Sequence, residues 1–298
     1  MLKNFKIGVG GFLMAAADSV PGVSGGTIAF VLGFYETFID SLNALIGHRF
    51  GERRQALIWL GKLGLGWVLG MGIFSTIITR VLETSPYTVF SLFLGFTVFA
   101  IPLVVKEEWK SINGHWGYAL FIPLGALLVY GVTWIGPGTV VNLDHIDVLV
   151  ALYLFVAAAV AICAMVLPGI SGSTLLLIMG VYTPIITAVR NLFHLDFSAL
   201  PILIIFGIGV LVGLGTTVKL VAAGMKHHRL AMVFFIIGLM IGSLFAIVQG
   251  PTALALPRAA LSMGTFSGGW FLIGGAILGV LSAARYWMES QDRARSQA

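Results

Sequence analysis

Apolar runs of about twenty residues, separated by short charged loops, recur along most of this 298-residue sequence. A helix rises about 1.5 Å per residue, so such a run can cross a hydrocarbon core of about 30 Å. Charged residues make up only 10% of the chain, whereas a soluble domain needs about 25%. The sequence therefore predicts an all-α polytopic membrane protein and excludes a soluble one. The clearest predicted spans are residues 56–79, 87–105, 116–136, 200–222, 230–249 and 266–287.

The chain also contains an internal repeat. Residues 21–27 read Pro-Gly-Val-Ser-Gly-Gly-Thr, and residues 168–174 read Pro-Gly-Ile-Ser-Gly-Ser-Thr. A second repeated pattern lies further along each copy, where four glycines recur with identical spacing. These are Gly64, Gly66, Gly70 and Gly72 in the first copy, and Gly207, Gly209, Gly213 and Gly215 in the second. Two patterns repeated in the same order indicate two related halves, which we predict as residues 1–138 and 139–298.

Each half is predicted to begin with a broken apolar hairpin and to continue with three transmembrane helices. The hairpins lie at about residues 7–45 and 147–190. Either each is re-entrant, or each is a pair of full spans, and the apolar pattern leaves both forms open. Re-entrant hairpins are favoured, because a Pro-Gly pair would place the turn of each hairpin inside the membrane.

The distribution of lysine and arginine predicts the topology. Basic residues are frequent in alternate loops and near both ends of the chain, which places these loops and both termini in the cytoplasm. Each hairpin must then return to the face that it enters from. Three spans separate the hairpins, so the two halves are predicted to be inverted relative to each other. Inverted repeats with broken helices are typical of secondary transporters.

The two Pro-Gly-x-Ser-Gly turns are candidate anion sites. Proline ends the preceding helix, glycine allows a turn, and serine is a favoured N-cap of the helix that follows. Amides in the first turn of a helix lack intrahelical acceptors, and that helix end carries about half a positive charge. A phosphate group fits such a site. The predicted turn residues are Pro21, Gly22, Pro168 and Gly169, and the predicted binding residues are Ser24, Gly25, Gly26, Thr27, Ser171, Gly172, Ser173 and Thr174.

A simpler explanation of each turn is a capped helix kink, which is common in membrane bundles. Two such turns in inverted repeats, both with serine and threonine, favour a ligand site instead. The glycine sets are interpreted as close helix packing.

Three charged residues, Asp18, Glu36 and Arg190, are candidates for coupling transport to proton movement or for contact with an anionic headgroup. Asp18 lies about 12 residues beyond Lys6, which on a helix places its carboxylate about 17 Å deep. Its counterpart in the second half is Met165. A proton-coupling role is one hypothesis, and a structural carboxylate that caps the turn is the alternative. Glu36 is expected near the membrane interface, and Arg190 is a candidate contact for an anionic headgroup in the outer vestibule.

The run Ala-Ala-Asp-Ser-Val-Pro-Gly-Val-Ser-Gly-Gly-Thr at residues 16–27 resembles the signature of a bacterial membrane family long catalogued as a domain of unknown function. The second copy, Leu-Pro-Gly-Ile-Ser-Gly-Ser at residues 167–173, fits the same family, and the likeness covers essentially the whole chain. That family is associated with translocation of undecaprenyl phosphate. The resemblance implies a flippase that returns this lipid carrier from the outer to the cytoplasmic leaflet of the inner membrane for cell-wall and glycan synthesis. It also implies that the two turns handle the phosphate headgroup.

Two other functions compete with this one. A transporter or channel for small inorganic anions would also use paired helix N-termini. A membrane enzyme such as a lipid phosphatase would need a base, a nucleophile or a metal set at one depth. The six histidines do not cluster, and there is a single cysteine, so no enzyme, metal or cofactor is predicted. The basic residues flank apolar runs, which excludes a nucleic-acid partner. Homo-oligomerisation stays open.

Overall fold

The computed structural model of the chain consists of helices and connecting segments, with no strand among the residues that it describes. The described residues are 2–297 except 21–22, 47–49, 136–140, 142, 144–146, 170, 194–196 and 255. In chain order the α-helices are α1 (Leu2–Asp18), α2 (Gly25–Val31), α3 (Tyr35–Ile46), α4 (Phe50–Thr84), α5 (Pro86–Ile112), α6 (Phe121–Ile135), α7 (Val148–Val166), α8 (Gly172–Ile178), α9 (Tyr182–Phe193), α10 (Leu200–His227), α11 (Arg229–Gln249) and α12 (Gly268–Gln297). Two short 3₁₀ helices, Trp116–Leu120 and Gly250–Ala253, precede α6 and follow α11.

Local sequence explains where several helices begin. Pro86 opens α5, and a proline also stands in the first turn of α10, where its missing N–H would have no partner in any case. Asp147 caps α7, because its carboxylate accepts a hydrogen bond of 2.7 Å from the amide of Val150. These starts agree with the predicted spans to within a few residues.

The prediction of a polytopic all-helical membrane protein is confirmed. Six helices in the described part of the chain are long and apolar enough to cross a membrane, or up to eight if each bent helix pair counts as one span. Five of the six predicted spans correspond to α4, α5, α6, α10 and α11, and the sixth long helix is α7 in the second hairpin. The predicted span 266–287 corresponds instead to a shorter apolar stretch, Gly268–Ala283, within α12.

Each hairpin is broken twice, and the sequence analysis predicted only the first break. After the Pro-Gly turn comes a seven-residue helix, α2 or α8. The chain then bends by 118° between α2 and α3, and by 112° between α8 and α9. Gly33 and Gly180 occupy these second breaks with φ angles of 72° and 69°, which glycine adopts without steric cost. Glu36 therefore does not lie on a straight continuation of α2.

The repeated glycines pack helices together in both halves, as predicted for part of each set. Side chains at Gly66 and Gly70 would collide with α1, and side chains at Gly209 and Gly213 would collide with α7. The pairs α1–α4 and α7–α10 therefore approach closely in the same manner. Gly64, Gly72 and Gly207 face open space, so close packing does not explain the whole of either set.

The last helices of the two predicted halves are exchanged. Helix α6 packs against α11, α12 packs against α5, and α5 packs against α11. Phe90 of α5 and Phe234 and Met240 of α11 are among the largest fully buried side chains. These contacts join the two predicted halves into one core. The division at residue 138 and the inverted orientation of the halves stay predictions.

Candidate functional site

The two Pro-Gly-x-Ser-Gly turns, far apart in sequence, are in direct contact. The hydroxyl of Ser24 donates to the carbonyl of Leu167 over 3.2 Å. In the other direction, the amide of Gly169 donates to the hydroxyl oxygen of Thr27 over 3.0 Å. The start of α2 therefore lies beside the turn that follows α7, between α7 and α8.

The end of α7 explains why these contacts form. The last carbonyls of a helix have no intrahelical donor, and Pro168, which follows α7, contributes no N–H. The hydroxyls of Ser24 and Tyr35 donate to the carbonyls of Leu167 and Val166, in each case over 3.2 Å. An unsatisfied carbonyl inside a membrane costs several kcal/mol. Polar groups of the first half therefore cap a helix of the second half.

Glycine is required where the turns meet. A Cβ atom on Gly26 would lie 3.2 Å from the carbonyl oxygen of Val166 and 3.3 Å from the nitrogen of Pro168. Gly169 has a φ of +90°, and its added Cβ would lie 2.5 Å from the carbonyl oxygen of Leu239 in α11. A side chain at either position would push the two turns or α11 apart.

A carboxylate of the protein itself lies at the start of α2. One oxygen of Asp18 accepts a 2.7 Å hydrogen bond from the amide of Gly25, and the other accepts a 2.9 Å bond from the indole N–H of Trp67. The capping role that was the alternative for Asp18 is therefore present in this structure. A Cβ atom on Gly25 would lie 2.7 Å from the nearer carboxylate oxygen, so the Asp18 side chain would have to shift to admit any other residue there.

The next two amides of α2 are also satisfied. Gly26 donates to the side chain of Ser24 over 3.2 Å, which confirms Ser24 as the N-cap of α2. Thr27 donates to the backbone carbonyl of Ser24 over 3.0 Å. The sequence analysis expected these amides to lack intrahelical acceptors and to be available to a ligand. In this structure, Asp18 and Ser24 supply them.

The second turn has different surroundings. Ser171 precedes α8 at the N-cap position, but its side chain makes no capping hydrogen bond to the helix. Its hydroxyl lies 2.9 Å from that of Ser173 instead. Ser173 and Thr174 are partly exposed, whereas their counterparts Gly26 and Thr27 are buried. Ser173 and Thr174 are therefore nearer to the surface than Thr27, whereas Ser171 is buried, as Ser24 is.

The position equivalent to Asp18 is Met165, which has no charge and is 36% exposed. A Cβ atom on Gly172 would lie 2.8 Å from the carbonyl oxygen of Ala161 and 3.3 Å from the Cβ of Met165. The second turn therefore packs its glycine against helix backbone, in the place where the first turn packs its glycine against a carboxylate.

Glu36 belongs to a different cluster. It forms an ion pair with Arg229 of α11, whose other guanidinium nitrogen donates to Glu108 of α5 at 3.1 and 3.4 Å. One arginine of the second half thus joins α3 and α5 of the first half. Glu36 is exposed, and its contacts here are with this cluster, not with the two turns.

Some predicted residues cannot be placed in this way. Pro21 and Gly22 lie outside the described residues. Arg190 is part of α9, but its side chain lies outside the described ones, so its predicted contact with a headgroup stays a prediction.

Sequence reasoning missed Tyr35, Trp67, Glu108 and Arg229 as site neighbours. For Trp67 a signal existed: with the spacing of the repeated glycines, its counterpart is Val210. In the second half, Met165 stands at the position of Asp18 and Val210 at the position of Trp67, so both members of this hydrogen-bonded pair are absent there. For Arg229 no local signal existed, since its partners lie more than one hundred residues away in the chain.

Comparison with known proteins adds to this geometry. The profile of the VCA0040-like family, described as undecaprenyl phosphate translocase-like, matches residues 14–265. A protein of Vibrio cholerae named polyprenyl-phosphate transporter is 35% identical over 247 residues, which is 78% of this chain and 74% of the relative. A protein of Staphylococcus aureus with the same name is 33% identical over 249 residues, 83% of this chain and 87% of the relative. No solved structure matches the chain.

Proposed function

Because this chain belongs to the undecaprenyl phosphate translocase-like family, we propose that it is a polyprenyl-phosphate transporter. The observation that carries the proposal is the direct contact between the two serine-containing turns. We further propose undecaprenyl phosphate as the substrate, returned from the outer to the cytoplasmic leaflet of the bacterial inner membrane for cell-wall and glycan synthesis. Both termini would then face the cytoplasm.

In this proposal the phosphate binds first at the second turn. The hydroxyls of Ser171, Ser173 and Thr174, with the amide of Gly172, are suitable donors for a phosphate oxygen. The partial exposure of Ser173 and Thr174 favours this order of binding. No buried lysine or arginine is needed, because the helix start contributes part of the charge that balances the phosphate.

The first turn would bind the phosphate once the Asp18 carboxylate no longer accepts the hydrogen bond from the amide of Gly25. A phosphate and the Asp18 carboxylate would compete for the amide of Gly25, since both are anionic acceptors. A proton on Asp18 would weaken the hold of that carboxylate on the amide. This exchange is the basis of the proposed proton coupling, and it rests on the 2.7 Å contact between Gly25 and Asp18.

The family is of the transporter type, and we propose no catalytic role for the site. A transporter or channel for small inorganic anions is the competing function, since chloride or free phosphate could use the same donors.

Reconstitution in vesicles separates the two functions. The purified protein would be placed in liposomes with a labelled polyprenyl phosphate in one leaflet, and the appearance of label in the other leaflet would be measured. Matched liposomes would hold chloride or inorganic phosphate instead. Movement of the lipid between leaflets is the expected result, whereas flux of free anions without lipid movement would overturn the proposal.

A further inference from the structure

A cleft of about 500 Å³ lies between α3 and α10, apart from the two turns. Its volume falls within the range of roughly 300–1,000 Å³ that is common for ligand sites. Several polar and charged residues line this cleft: Glu36, Asp40 and Asn43 of α3, Lys219 and Lys226 of α10, and Arg229 of α11. The cleft therefore lies between a helix of the first predicted half and helices of the second.

The two lysines lie on one face of α10. They are seven residues apart, so they follow each other after two helical turns, about 10 Å along the axis. Ala222 and Ala223, which line the cleft between them, have small side chains and leave room there. Both ammonium groups are thus directed to the same cleft at two depths.

The charges of the cleft are not balanced. Arg229 is paired with Glu36 and Glu108. Among the described side chains, neither Lys219 nor Lys226 takes part in an ion pair. Counted over the lining alone, Lys219, Lys226 and Arg229 contribute +3 and Glu36 and Asp40 contribute −2, so the lining carries +1 with His227 neutral. Glu108 pairs with Arg229 from outside this lining. A phosphate monoester, with a charge of about −1.5 to −2 at neutral pH, complements this surplus.

The position of Lys219 strengthens the argument. It lies eight residues before the end of α10 at His227, inside the apolar helix Leu200–His227. A lysine at such depth is costly unless it faces water or an anion, and residues of this kind commonly mark a ligand or ion pathway. The cleft supplies the polar surroundings that Lys219 requires.

The lysines of the cleft occur in one half of the sequence only. With the spacing of the repeated glycines, the counterparts of Lys219 and Lys226 in the first half are Thr76 and Glu83. The lysine pair therefore has no counterpart in the first half. The end of α10 and the start of α11 belong to the loops that the basic residues predict to be cytoplasmic.

The geometry points to a second binding site in this cleft, at which Lys219 and Lys226 hold the phosphate group of a phosphomonoester at the predicted cytoplasmic face. This inference rests on the proposed function for its ligand class, and it adds a site distinct from the two turns. The phosphate can belong to the polyprenyl lipid or to free phosphate. In either case the lysines provide charge-assisted hydrogen bonds to its oxygens.

A binding experiment tests the site apart from transport. Farnesyl phosphate, inorganic phosphate and farnesol would be titrated into the purified full-length protein in detergent, and affinities would be measured for Lys219→Gln, Lys226→Gln and the control Lys110→Gln. The Ser171→Trp variant, in which the second turn is blocked, would be titrated in parallel. Each cleft substitution is expected to weaken binding of farnesyl phosphate about tenfold, in line with loss of one charge-assisted hydrogen bond. Lys110→Gln is expected to leave the affinity for farnesyl phosphate unchanged. The affinity for farnesol is expected to be the same in the wild type and in the lysine variants.

Asp40→Asn provides a result that misfolding cannot imitate. Removal of this carboxylate takes away a repulsive charge, so the affinity for farnesyl phosphate is expected to rise severalfold. Tighter binding of farnesyl phosphate than of inorganic phosphate would assign the site to the lipid headgroup, and equal binding would assign it to free phosphate. Unchanged affinity for farnesyl phosphate in a variant that carries both Lys219→Gln and Lys226→Gln would overturn the site, even if the wild type moves lipid between leaflets. Lysine-dependent binding without lipid movement would instead retain the site and overturn the proposed function.

Discussion

The two turns share a sequence pattern but differ in what surrounds them. At the first turn, Asp18 holds the amide of Gly25, and the hydroxyls of Ser24 and Thr27 are bonded to the second turn. At the second turn, the hydroxyls of Ser171 and Ser173 lie against each other, and Ser173 is partly exposed.

The difference teaches that a repeated motif need not have a repeated role. The hydroxyls of the first turn make contacts within the protein, because Ser24 donates to the carbonyl of Leu167 at the end of α7 and Thr27 accepts from the amide of Gly169. The second turn keeps hydroxyls that are not used in this way. The same substitution at equivalent positions of the two turns should therefore have different effects on stability and on lipid movement.

The largest effects are expected from bulky side chains in the turns. Ser24→Trp and Ser171→Trp should each reduce lipid movement in vesicles to the background level, because an indole cannot fit between the packed turns. Thr216→Trp is the control, since Thr216 is exposed on α10. Membrane insertion would be checked by detergent extraction and size-exclusion chromatography. Normal lipid movement in either serine variant would remove that turn from the site.

Asp18→Asn tests the feature that is unique to the first turn. An amide side chain keeps the shape but cannot accept charge-assisted bonds from both Gly25 and Trp67, which are worth about 1.5–3 kcal/mol each. We expect slower lipid movement and a flat dependence of its rate on pH. The rate would be measured at several pH values in Asp18→Asn and in Trp67→Phe, which keeps the carboxylate. An unchanged pH profile in Asp18→Asn would end the coupling hypothesis.

The glycines that start α2 and α8 should differ in their tolerance of alanine. At Gly172 the new methyl group would meet the backbone of α7, whereas at Gly25 it would meet the end of the Asp18 side chain. We expect Gly172→Ala to lower the free energy of unfolding by about 1–3 kcal/mol, and Gly25→Ala by less. Gly207→Ala, which faces open space, is the control in thermal unfolding measurements. A larger loss of unfolding free energy in Gly25→Ala than in Gly172→Ala would contradict this and would show that the Asp18 side chain cannot move aside.

The smallest and most specific effects are expected from Ser24→Ala and Ser171→Ala. Loss of the Ser24 hydroxyl removes the cap of α2 and the donor to Leu167, which should cost about 1–2 kcal/mol of stability. Ser171→Ala should leave stability within about 0.5 kcal/mol and should slow lipid movement instead. Thermal unfolding and vesicle assays on the same preparations measure both quantities. Identical behaviour of the two variants would contradict the division of roles between the turns.

Sequence alone predicted much of the fold, because helix length and Pro-Gly breaks are local properties. Ser24 as an N-cap and the start of α2 at Gly25 followed from the same local rules. The second breaks at Gly33 and Gly180 were missed, since an isolated glycine in an apolar run does not by itself end a helix.

Contacts between distant segments were beyond prediction. The bond of Asp18 to Trp67 and the bridge from Arg229 to Glu36 and Glu108 depend on how helices are arranged in space. The repeat did contain one unused hint, because Asp18 and Trp67 are both replaced in the second half. A comparison of the halves for paired differences, as well as for shared residues, would have identified that contact.

The exchange of α6 and α12 between the halves has a mechanical consequence. Gly125 and Gly242 bring α6 and α11 so close that a single methyl group on either would meet the facing helix. Such interfaces resist sliding, so we expect α5, α6, α11 and α12 to serve as a stationary frame during each transport cycle. The pairs α1–α4 and α7–α10, together with the short helices they flank, would then be the moving parts, and neither half could swing as a separate rigid body.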